Sequence, residues 1–554
     1  MGRKRALSVT EALVAATLFG FGVVTACSDG SHSASSGNGA DPGGRSNSSG
    51  SPELSGVVAG GVAAGSGAGS VLGRAGSSAS NGGSTIGSGG ALAGTGGSGE
   101  AAGMAGEQSV AGAPASAGEP GAEAGSSSAG EGGMGGEPPY PRVHFPRENP
   151  DSEAKDMLGK ILFWDEQVGS DNTMACGTCH RPGSGGGSDP RAVESTKWHP
   201  GDDGVFGTPD DIHGSQGIRY CTGGDGVTVS YLAAPAPSPF GLNHQVTARK
   251  APTYLDAMFA GDIFWDGRAT SQFIDPLSKV VAIQAGGALE NQAVGPPLNP
   301  AEMACANRSF GSLLTKLASV TPLALAKTVP SAMKAAIEAA NSRYVDLFSA
   351  AFPGATPPLS ATHFAFAIAT HERHMQSNQT PWDLYNQSLN DPKTGDPNAL
   401  TPAQLHGLQL FMGKAGCKAC HIPPLFSDFK FHNLHFITEK DLGRQAIPGH
   451  SADPPGQVKT ASLRNVGLRE AQGLFHYGYG PGLSLDAVVA WYNIPPREMS
   501  AQEIQEDPLL VSITRLNLTA DEIADLLDFL RNGLTDPRVK KQAFPFDRPT
   551  LSTE

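Results

Sequence analysis

Aromatic residues are missing from about Ser28 to Gly136, a segment made almost entirely of glycine, serine and alanine. Such a composition buries too little apolar surface to offset the entropy lost on ordering, so residues 28–139 are predicted to be a disordered linker. The chain also lacks an excess of positive charge, since its formal net charge is −14. Because no basic surface is available to neutralise phosphates, nucleic acid is not expected as a partner.

Long apolar runs are scarce, and the one at the N-terminus indicates export. Three basic residues at positions 3–5 precede an apolar run from Ala6 to Val24, which is typical of a signal peptide and too short for a stable membrane span. The run leads into Val-Thr-Ala-Cys27, which is similar to a lipobox, and Ser28 favours the outer membrane. Residues 1–27 are therefore predicted to be a lipoprotein signal peptide that anchors the protein in the periplasm or at the cell surface. An ordinary signal peptide with an incidental cysteine is the alternative.

The remaining chain carries helical patterns and few alternating ones. Apolar spacing predicts an amphipathic helix over 153–163, further helices around 310–350 and 360–386, and a closing helix near 519–531. Thr401 is placed to cap a helix that begins at Pro402. The prediction is a mostly α fold with two domains, 140–390 and 391–554.

Cysteine is scarce too, with seven residues, and four of them lie in two motifs of the same form. These are Cys176-Gly-Thr-Cys179-His180 and Cys417-Lys-Ala-Cys420-His421. On a helical turn both thiols and the imidazole face one side, so the thiols can form thioethers to one porphyrin while the histidine binds its iron. Redox dithiols or zinc sites are the alternative, but further Cys/His pairs at ligand spacing are missing. The sequence therefore predicts two covalently bound haem c groups, one enclosed in each of two cytochrome c-like domains, 140–390 and 391–554.

The sequence alone does not decide two other features of the first half, a disulfide and a calcium site. Cys221 and Cys305 are left over, and an oxidising compartment would permit a disulfide between them. The acidic segment Asp202–Asp211 has carboxylates and glycine turns that can collect Ca²⁺, although its spacing is not that of an EF-hand. A solvated acidic loop is the preferred interpretation of that segment.

Several further sequence stretches around the two motifs match those of a known family, in the same order along the chain. They are Leu158-Gly-Lys-Ile-Leu-Phe-Trp-Asp165, Phe264-Trp-Asp-Gly-Arg268, the run from Gln292 to Met303, Lys459-Thr-Ala-Ser-Leu-Arg464, and Phe475-His476-Tyr-Gly. With these stretches the chain resembles the bacterial di-haem cytochrome c peroxidases and the related MauG proteins from about Leu158 to Asn532. The resemblance implies that the first haem reacts with peroxide and that the second transfers electrons.

The resemblance also implies catalytic roles. Glu302 falls on the acid/base carboxylate over the peroxidatic iron, Gln292 on its partner, and Pro296 on a residue of the same pocket. Trp265 falls on the tryptophan between the haems, a relay for electrons or holes. The alternatives are that Glu302 caps a helix after Asn299-Pro300 and that Trp265 is an ordinary core aromatic.

Tyr492 is implied as the second axial ligand of the second haem. Classical peroxidases of the family have a methionine seven residues after the leucine that begins this helix, and here Leu485 leads to Tyr492 instead, as in MauG-like members. Met499 lies seven residues further on and is badly placed to serve as the axial ligand. A phenolate stabilises oxidised iron more than a thioether does. The alternative is that Tyr492 only packs or donates a hydrogen bond.

Two departures limit the resemblance. His244 is two residues out of register with the removable distal histidine of classical members, so a distal ligand and an ordinary loop histidine are both open. Lys250 replaces an asparagine that helps hold calcium between the domains, and Ala471 and Gly473 replace a Thr-x-Pro. Because an ammonium repels Ca²⁺, calcium is doubtful as a cofactor. The insertion Ala269–Asn291 has no assigned purpose.

Three functions follow from these residues. The preferred one is a peroxidase that reduces hydrogen peroxide to water with electrons from a small redox protein or a quinol. The second is a MauG-like oxidase of a protein or organic substrate, which Tyr492 favours. The third is a non-catalytic electron carrier, which Gln292 and Glu302 beside an open iron disfavour.

Overall fold

The computed structural model describes residues 136–188, 198–225, 228–232, 239–435, 441–477, 484–495 and 497–554. The described residues belong to one compact unit. The predicted signal peptide, Cys27 and nearly all of the predicted linker lie outside the described residues. Within those described ranges, no helix combines the length and the apolar character that crossing a membrane requires.

Helices are the main regular structure, as the sequence predicts. The α-helices of the described residues are α1 Glu153–Trp164, α2 Cys176–Cys179, α3 Ala288–Ala293, α4 Phe310–Ser319, α5 Ser331–Ala339, α6 Tyr344–Ala351, α7 Ala361–His374, α8 Pro381–Asn390, α9 Pro402–Met412, α10 Val466–Arg469, α11 Leu485–Asn493, α12 Ala501–Glu506, α13 Ala520–Asp528 and α14 Pro537–Lys541. A π-helical turn, Phe529–Gly533, continues α13.

The strands of the described residues form only small two-stranded antiparallel sheets. They pair as β1 Gln216–Arg219 with β4 His244–Val246, β2 Cys221–Thr222 with β3 Ser230–Tyr231, β5 Phe273–Ile274 with β6 Val281–Ile283, and β7 Phe431–His432 with β8 Val458–Lys459. The β5–β6 pair is formed by the insertion Ala269–Asn291.

The first hydrophobic core lies where α1 packs on α7. The Ser152 side chain accepts a hydrogen bond from the Lys155 amide and begins α1. Gly159 brings the two helices close together, since a Cβ there would collide with the Ala367 carbonyl oxygen. Leu158 and its helical neighbours are then buried against α7.

The second hydrophobic core lies between α9 and α13. The Thr401 side chain accepts a hydrogen bond from the Gln404 amide, so the predicted cap before Pro402 is confirmed. Phe411 and Phe529 meet edge to face with ring centroids 5.7 Å apart. The predicted domain boundary at 390 and the assignment of one haem to each half remain predictions.

The end of the chain returns to the first core. Val539, Phe546 and Leu551 belong to that core, and Lys160 Nζ pairs with Asp547 Oδ1 at 2.7 Å. The second half is therefore fastened to the helices around the first motif by its last residues.

Two features left open by the sequence have defined structures. Cys221 and Cys305 are joined by a disulfide. In the acidic loop, Asp210 Oδ2 accepts hydrogen bonds from the amides of Asp202 and Asp203. This carboxylate is therefore used in holding the loop together.

Candidate active site

The first cysteine motif lines a cavity of about 520 Å³. Helix α2 carries Cys176 and Cys179, and His180 follows at its C-terminus. The Nδ1 atom of His180 lies 3.3 Å from the carbonyl oxygen of Gly186, so Nδ1 carries the proton and Nε2 is left to bind a metal. Burial lowers the pKa of His180 to about 4, which keeps the imidazole in the neutral form that ligates iron.

The second cysteine motif has the same arrangement at a cavity of about 300 Å³. A 3₁₀ turn, Cys417–Ala419, places Cys417, Cys420 and His421 in the cavity wall. The Nδ1 atom of His421 lies 3.0 Å from the Phe426 carbonyl oxygen, and Nε2 is again left for a metal. Both donor sets therefore fit a haem c group.

Glu302 and Gln292 both line the first cavity, together with Pro296. Asn299 Nδ2 donates to Glu302 Oε1 at 2.7 Å and orients the carboxyl group. Burial raises the pKa of Glu302, while the charge of Arg268 and the Asn299 hydrogen bond oppose the rise. A carboxyl group with a raised pKa is suited to moving a proton between two oxygen atoms near neutral pH.

The alternative role of Glu302 as a helix cap does not agree with the structure. The residues around Pro300 form turns, and the next α-helix along the described chain is α4, which begins at Phe310. Asn299 Oδ1 accepts a hydrogen bond from the Ala301 amide and so makes a local turn. The Glu302 side chain is consequently available to the cavity.

Trp265 lines both cavities. Its Nε1 donates to the Lys250 carbonyl oxygen at 2.7 Å, and its ring centroid lies 5.8 Å from that of His476. The indole is thus held where the two cavities approach each other, which agrees with a relay; the relay role remains a prediction.

Tyr492 lines the second cavity from α11, which also contributes Leu485. Burial raises the pKa of its phenol, so the hydroxyl stays protonated until a metal displaces the proton. Met499 is not among the described residues that line this cavity. The position agrees with the predicted axial ligand, and ligation itself remains a prediction.

His244 does not line the first cavity in the described part of the chain. Its Nδ1 lies 2.8 Å from the Gly217 carbonyl oxygen, at the edge of the β1–β4 pair. This placement favours the ordinary loop histidine. His199 lines the cavity instead. It lies in a glycine- and aspartate-rich loop, and no pattern in that loop predicted a histidine at the cavity.

Lys250 occupies the place where the resemblance would put a calcium ligand. Its buried ammonium group donates a hydrogen bond to the Gly473 carbonyl oxygen. Burial lowers its pKa to about 7, and the charge of Arg469 contributes to the shift. The Gly473 carbonyl oxygen, which could bind calcium, is therefore already bound by the Lys250 side chain.

Three further residues of the first cavity were not anticipated from the sequence. They are Arg268, Tyr254 and Glu372. Arg268 ends the stretch Phe264-Trp-Asp-Gly-Arg268, but no pattern of spacing predicted that it or the other two residues line the cavity. Only the packing of α7 and of the loops near residues 254 and 268 brings them there.

Known proteins are similar to this chain. A family described as "Di-haem cytochrome c peroxidase" matches residues 153–391, which contain the first motif, Trp265, Gln292 and Glu302. The methylamine utilization protein MauG of Methylorubrum extorquens is 27% identical over 351 residues, which are 63% of this chain and 71% of the relative. The cytochrome c551 peroxidase of Pseudomonas aeruginosa is 27% identical over 342 residues, 60% of this chain and 70% of the relative.

Solved structures are also similar. The crystal structure of a MauG-like protein associated with microbial copper homeostasis covers 74% of this chain and 96% of its own, at 22% identity and a TM-score of 0.47.

Proposed function

We propose that the chain, as a member of the family of bacterial di-haem cytochrome c peroxidases and MauG proteins that it matches, reduces hydrogen peroxide to water with electrons from an external donor. As a member of that family it is an oxidoreductase that uses two haems. The first motif would hold the peroxidatic haem covalently and the second motif the electron-transfer haem. The proposal is carried by one observation, the presence of Glu302 and Gln292 in the cavity lined by the first motif.

Reduction of hydrogen peroxide consumes two electrons and two protons and yields two water molecules. Haem iron, when bound, supplies the redox chemistry that breaks the O–O bond. Glu302 accepts the proton of the inner peroxide oxygen and delivers it to the outer oxygen, which leaves as water. The Gln292 amide donates a hydrogen bond that orients the peroxide for this transfer.

Electrons enter at the second haem site and reach the first haem site through Trp265. The indole is suited to this step because it borders both cavities and its N–H is fixed by the Lys250 carbonyl. A small redox protein or a quinol would serve as the donor.

The experiment that tests the proposal mixes the purified holoprotein with hydrogen peroxide and reduced cytochrome c or a reducing dye. Peroxide-dependent oxidation of the donor is expected. A protein that does not react with peroxide in any oxidation state, with both irons saturated by side chains, would leave only an electron carrier.

A MauG-like oxidase is the second candidate, because Tyr492 borders the cavity of the second motif. In that case the protein would store two oxidising equivalents and pass them to a protein or organic substrate. One equivalent of peroxide would then produce a long-lived two-electron-oxidised state that decays on addition of that substrate. Rapid decay with a simple electron donor favours the peroxidase.

Export and lipid anchoring at Cys27 complete the proposal. The basic start, apolar run and lipobox-like ending support an anchored protein in the periplasm or at the cell surface, with the outer membrane preferred. Metabolic labelling with a radioactive fatty acid should mark the wild type and not Cys27→Ser. Labelling of neither protein would contradict the anchor.

A further inference from the structure

His432 is a buried histidine of the second cavity that the proposed mechanism does not use. It lies in β7, is 7% exposed and lines that cavity. Its Nδ1 atom lies 2.5 Å from Asp507 Oδ2, and its Nε2 atom lies 2.9 Å from Asp428 Oδ2. Both ring nitrogens therefore face carboxylates.

These two hydrogen bonds make the His432 ring a cation. A neutral imidazole has only one N–H, and an ionised carboxylate accepts hydrogen bonds without donating any. Because imidazole is more basic than a carboxylate by about two to three pH units, the protons stay on the ring and both nitrogens donate. Burial lowers the pKa of His432, but the hydrogen bonds to Asp428 and Asp507 outweigh burial and raise it. The three side chains together carry one positive and two negative charges.

Backbone amides on two separate segments hold the carboxylates in place. Asp428 lies in the loop after the second cysteine motif, and its Oδ1 accepts a hydrogen bond from the Lys430 amide at 2.9 Å. Asp507 begins the 3₁₀ turn Pro508–Ser512, and its Oδ1 accepts a hydrogen bond from the Leu509 amide at 3.1 Å. The Oδ2 atoms are left to face the imidazolium, so its position is fixed from both sides.

The three side chains lie where Cys420 would attach the second haem. Cys420 Sγ, a carboxylate oxygen of Asp428 and a ring nitrogen of His432 lie within 4.8 Å of one another. A metal ion is not expected there, because a sulfur bound to porphyrin as a thioether lacks the thiolate charge that binds metals. Burial raises the pKa of the unattached Cys420 thiol, and the charges of Asp428 and Asp507 raise it further, to about 11. Both carboxylates therefore act by charge at this edge of the cavity.

We propose that the His432 imidazolium offsets the two carboxylates beside the second haem and so raises the reduction potential of that haem. This inference rests on the proposed haem at Cys417, Cys420 and His421. Ferric haem carries one more positive charge than ferrous haem, so two uncompensated carboxylates would stabilise the ferric state. A phenolate ligand from Tyr492 would act in the same direction. The imidazolium counteracts both effects and favours transfer of an electron from the external donor to the second haem.

Potentiometric titration of the holoprotein tests the charge with two variants of one residue. The potential of the second haem should fall in His432→Gln, which keeps a polar side chain without the charge. It should stay closer to the wild-type value in His432→Lys, which keeps the charge. His435→Gln is the matched control, because His435 pairs with Glu503 at 3.4 Å and is not among the described residues that line the second cavity. Equal shifts in the two His432 variants, or no shift in either, overturn the proposal.

Asp507→Asn tests the sign of the effect. Its amide oxygen still accepts hydrogen bonds, but one negative charge is gone, so the potential of the second haem should rise. A role of this group in folding alone would move Asp507→Asn and His432→Gln in the same direction, and a fall or no change in Asp507→Asn overturns the proposal. Haem staining of the denatured protein reports separately whether a haem is attached at Cys417 and Cys420. Absence of that haem contradicts the proposed cofactor, whereas an attached haem with unchanged potentials contradicts only this inference.

Discussion

At the scale of single residues, burial changes the proton affinity of the groups that line the first cavity. Glu302 is surrounded by protein, and Asn299 and the charge of Arg268 stabilise its ionised form. Burial also keeps the His180 imidazole neutral. The same physical effect therefore prepares a proton carrier and an iron ligand in one cavity.

Replacement of Glu302 by glutamine should lower kcat/KM for peroxide by about 10²- to 10⁴-fold, the usual contribution of a positioned acid/base group. The amide keeps the size of the side chain but cannot accept and return a proton. Steady-state kinetics measure the change. Glu338→Gln, an exposed glutamate on α5, serves as the control, and a normal rate in Glu302→Gln would exclude the proposed proton carrier.

The pH dependence of kcat/KM in the wild type and in Glu302→Gln tests whether the ionised carboxylate is the active form. Glu302 must be ionised to accept the peroxide proton, so kcat/KM falls as the pH drops through its pKa. Because burial raises that pKa above 4.5, the acidic limb should lie at higher pH than for an exposed glutamate. The limb should be missing from Glu302→Gln.

Replacement of Tyr492 by phenylalanine should remove the second axial ligand of the second haem. The phenolate stabilises ferric iron, so its loss should raise the potential, on the order of 0.1 V within the range that axial ligands span. Electron paramagnetic resonance of the ferric protein should show the low-spin signal change to high spin. Trp491→Phe on the same helix is the control, and an unchanged low-spin signal in Tyr492→Phe would rule out ligation.

At the scale of elements, the close approach of α1 and α7 positions Phe163 beside His180, with ring centroids 6.4 Å apart, and Glu372 at the first cavity. Gly159 is the residue that permits this approach, since an added Cβ would meet the Ala367 carbonyl and lie 2.8 Å from His371 Cβ. The helices would have to separate to make room for it.

Gly159→Ala should therefore destabilise the protein by roughly 1–3 kcal/mol, the usual cost of overpacking a core. Gly311→Ala is the matched control, because Gly311 lies in helix α4 and the nearest atom to its added Cβ is Ser309 Oγ at 3.8 Å. That change should stabilise by roughly 0.5–1 kcal/mol through helix propensity. Thermal denaturation compares the two, and equal effects would contradict the packing argument.

At the scale of the whole molecule, Trp265 is one of the described residues that line both cavities. Trp265→Phe should slow electron transfer from the second haem to the first while peroxide still reacts with the first haem at the wild-type rate. Stopped-flow spectroscopy separates the two steps. The exposed Trp198→Phe is the control, and unchanged inter-haem transfer in Trp265→Phe would exclude the relay.

The approach of the two halves near Trp265 is also stabilised by Lys250, whose ammonium binds the Gly473 carbonyl. Prolonged dialysis against a calcium chelator should therefore leave the peroxidase rate and the spectra of both haems unchanged. Loss of activity that added Ca²⁺ restores would show that a metal ion, and not the ammonium, completes this region.

The sequence by itself determined the haem motifs, because thioether attachment requires two cysteines and a histidine within one turn of chain. It also determined the main helices and the cap at Thr401, since apolar periodicity and capping are local properties. The order of family stretches was enough to select Glu302, Gln292, Trp265 and Tyr492 as cavity residues.

Only the tertiary structure decided which distant groups share a cavity. The Cys221–Cys305 disulfide, the bond from Lys250 to Gly473 and the return of the chain end to the first core join residues far apart in sequence. Glu372 lies in a helix whose pattern indicates only that it is amphipathic. The raised pKa of its carboxyl group depends on burial and on the commitment of Arg373 to Glu290. Such properties arise from the packing of separate elements, and periodicity along one element does not contain them.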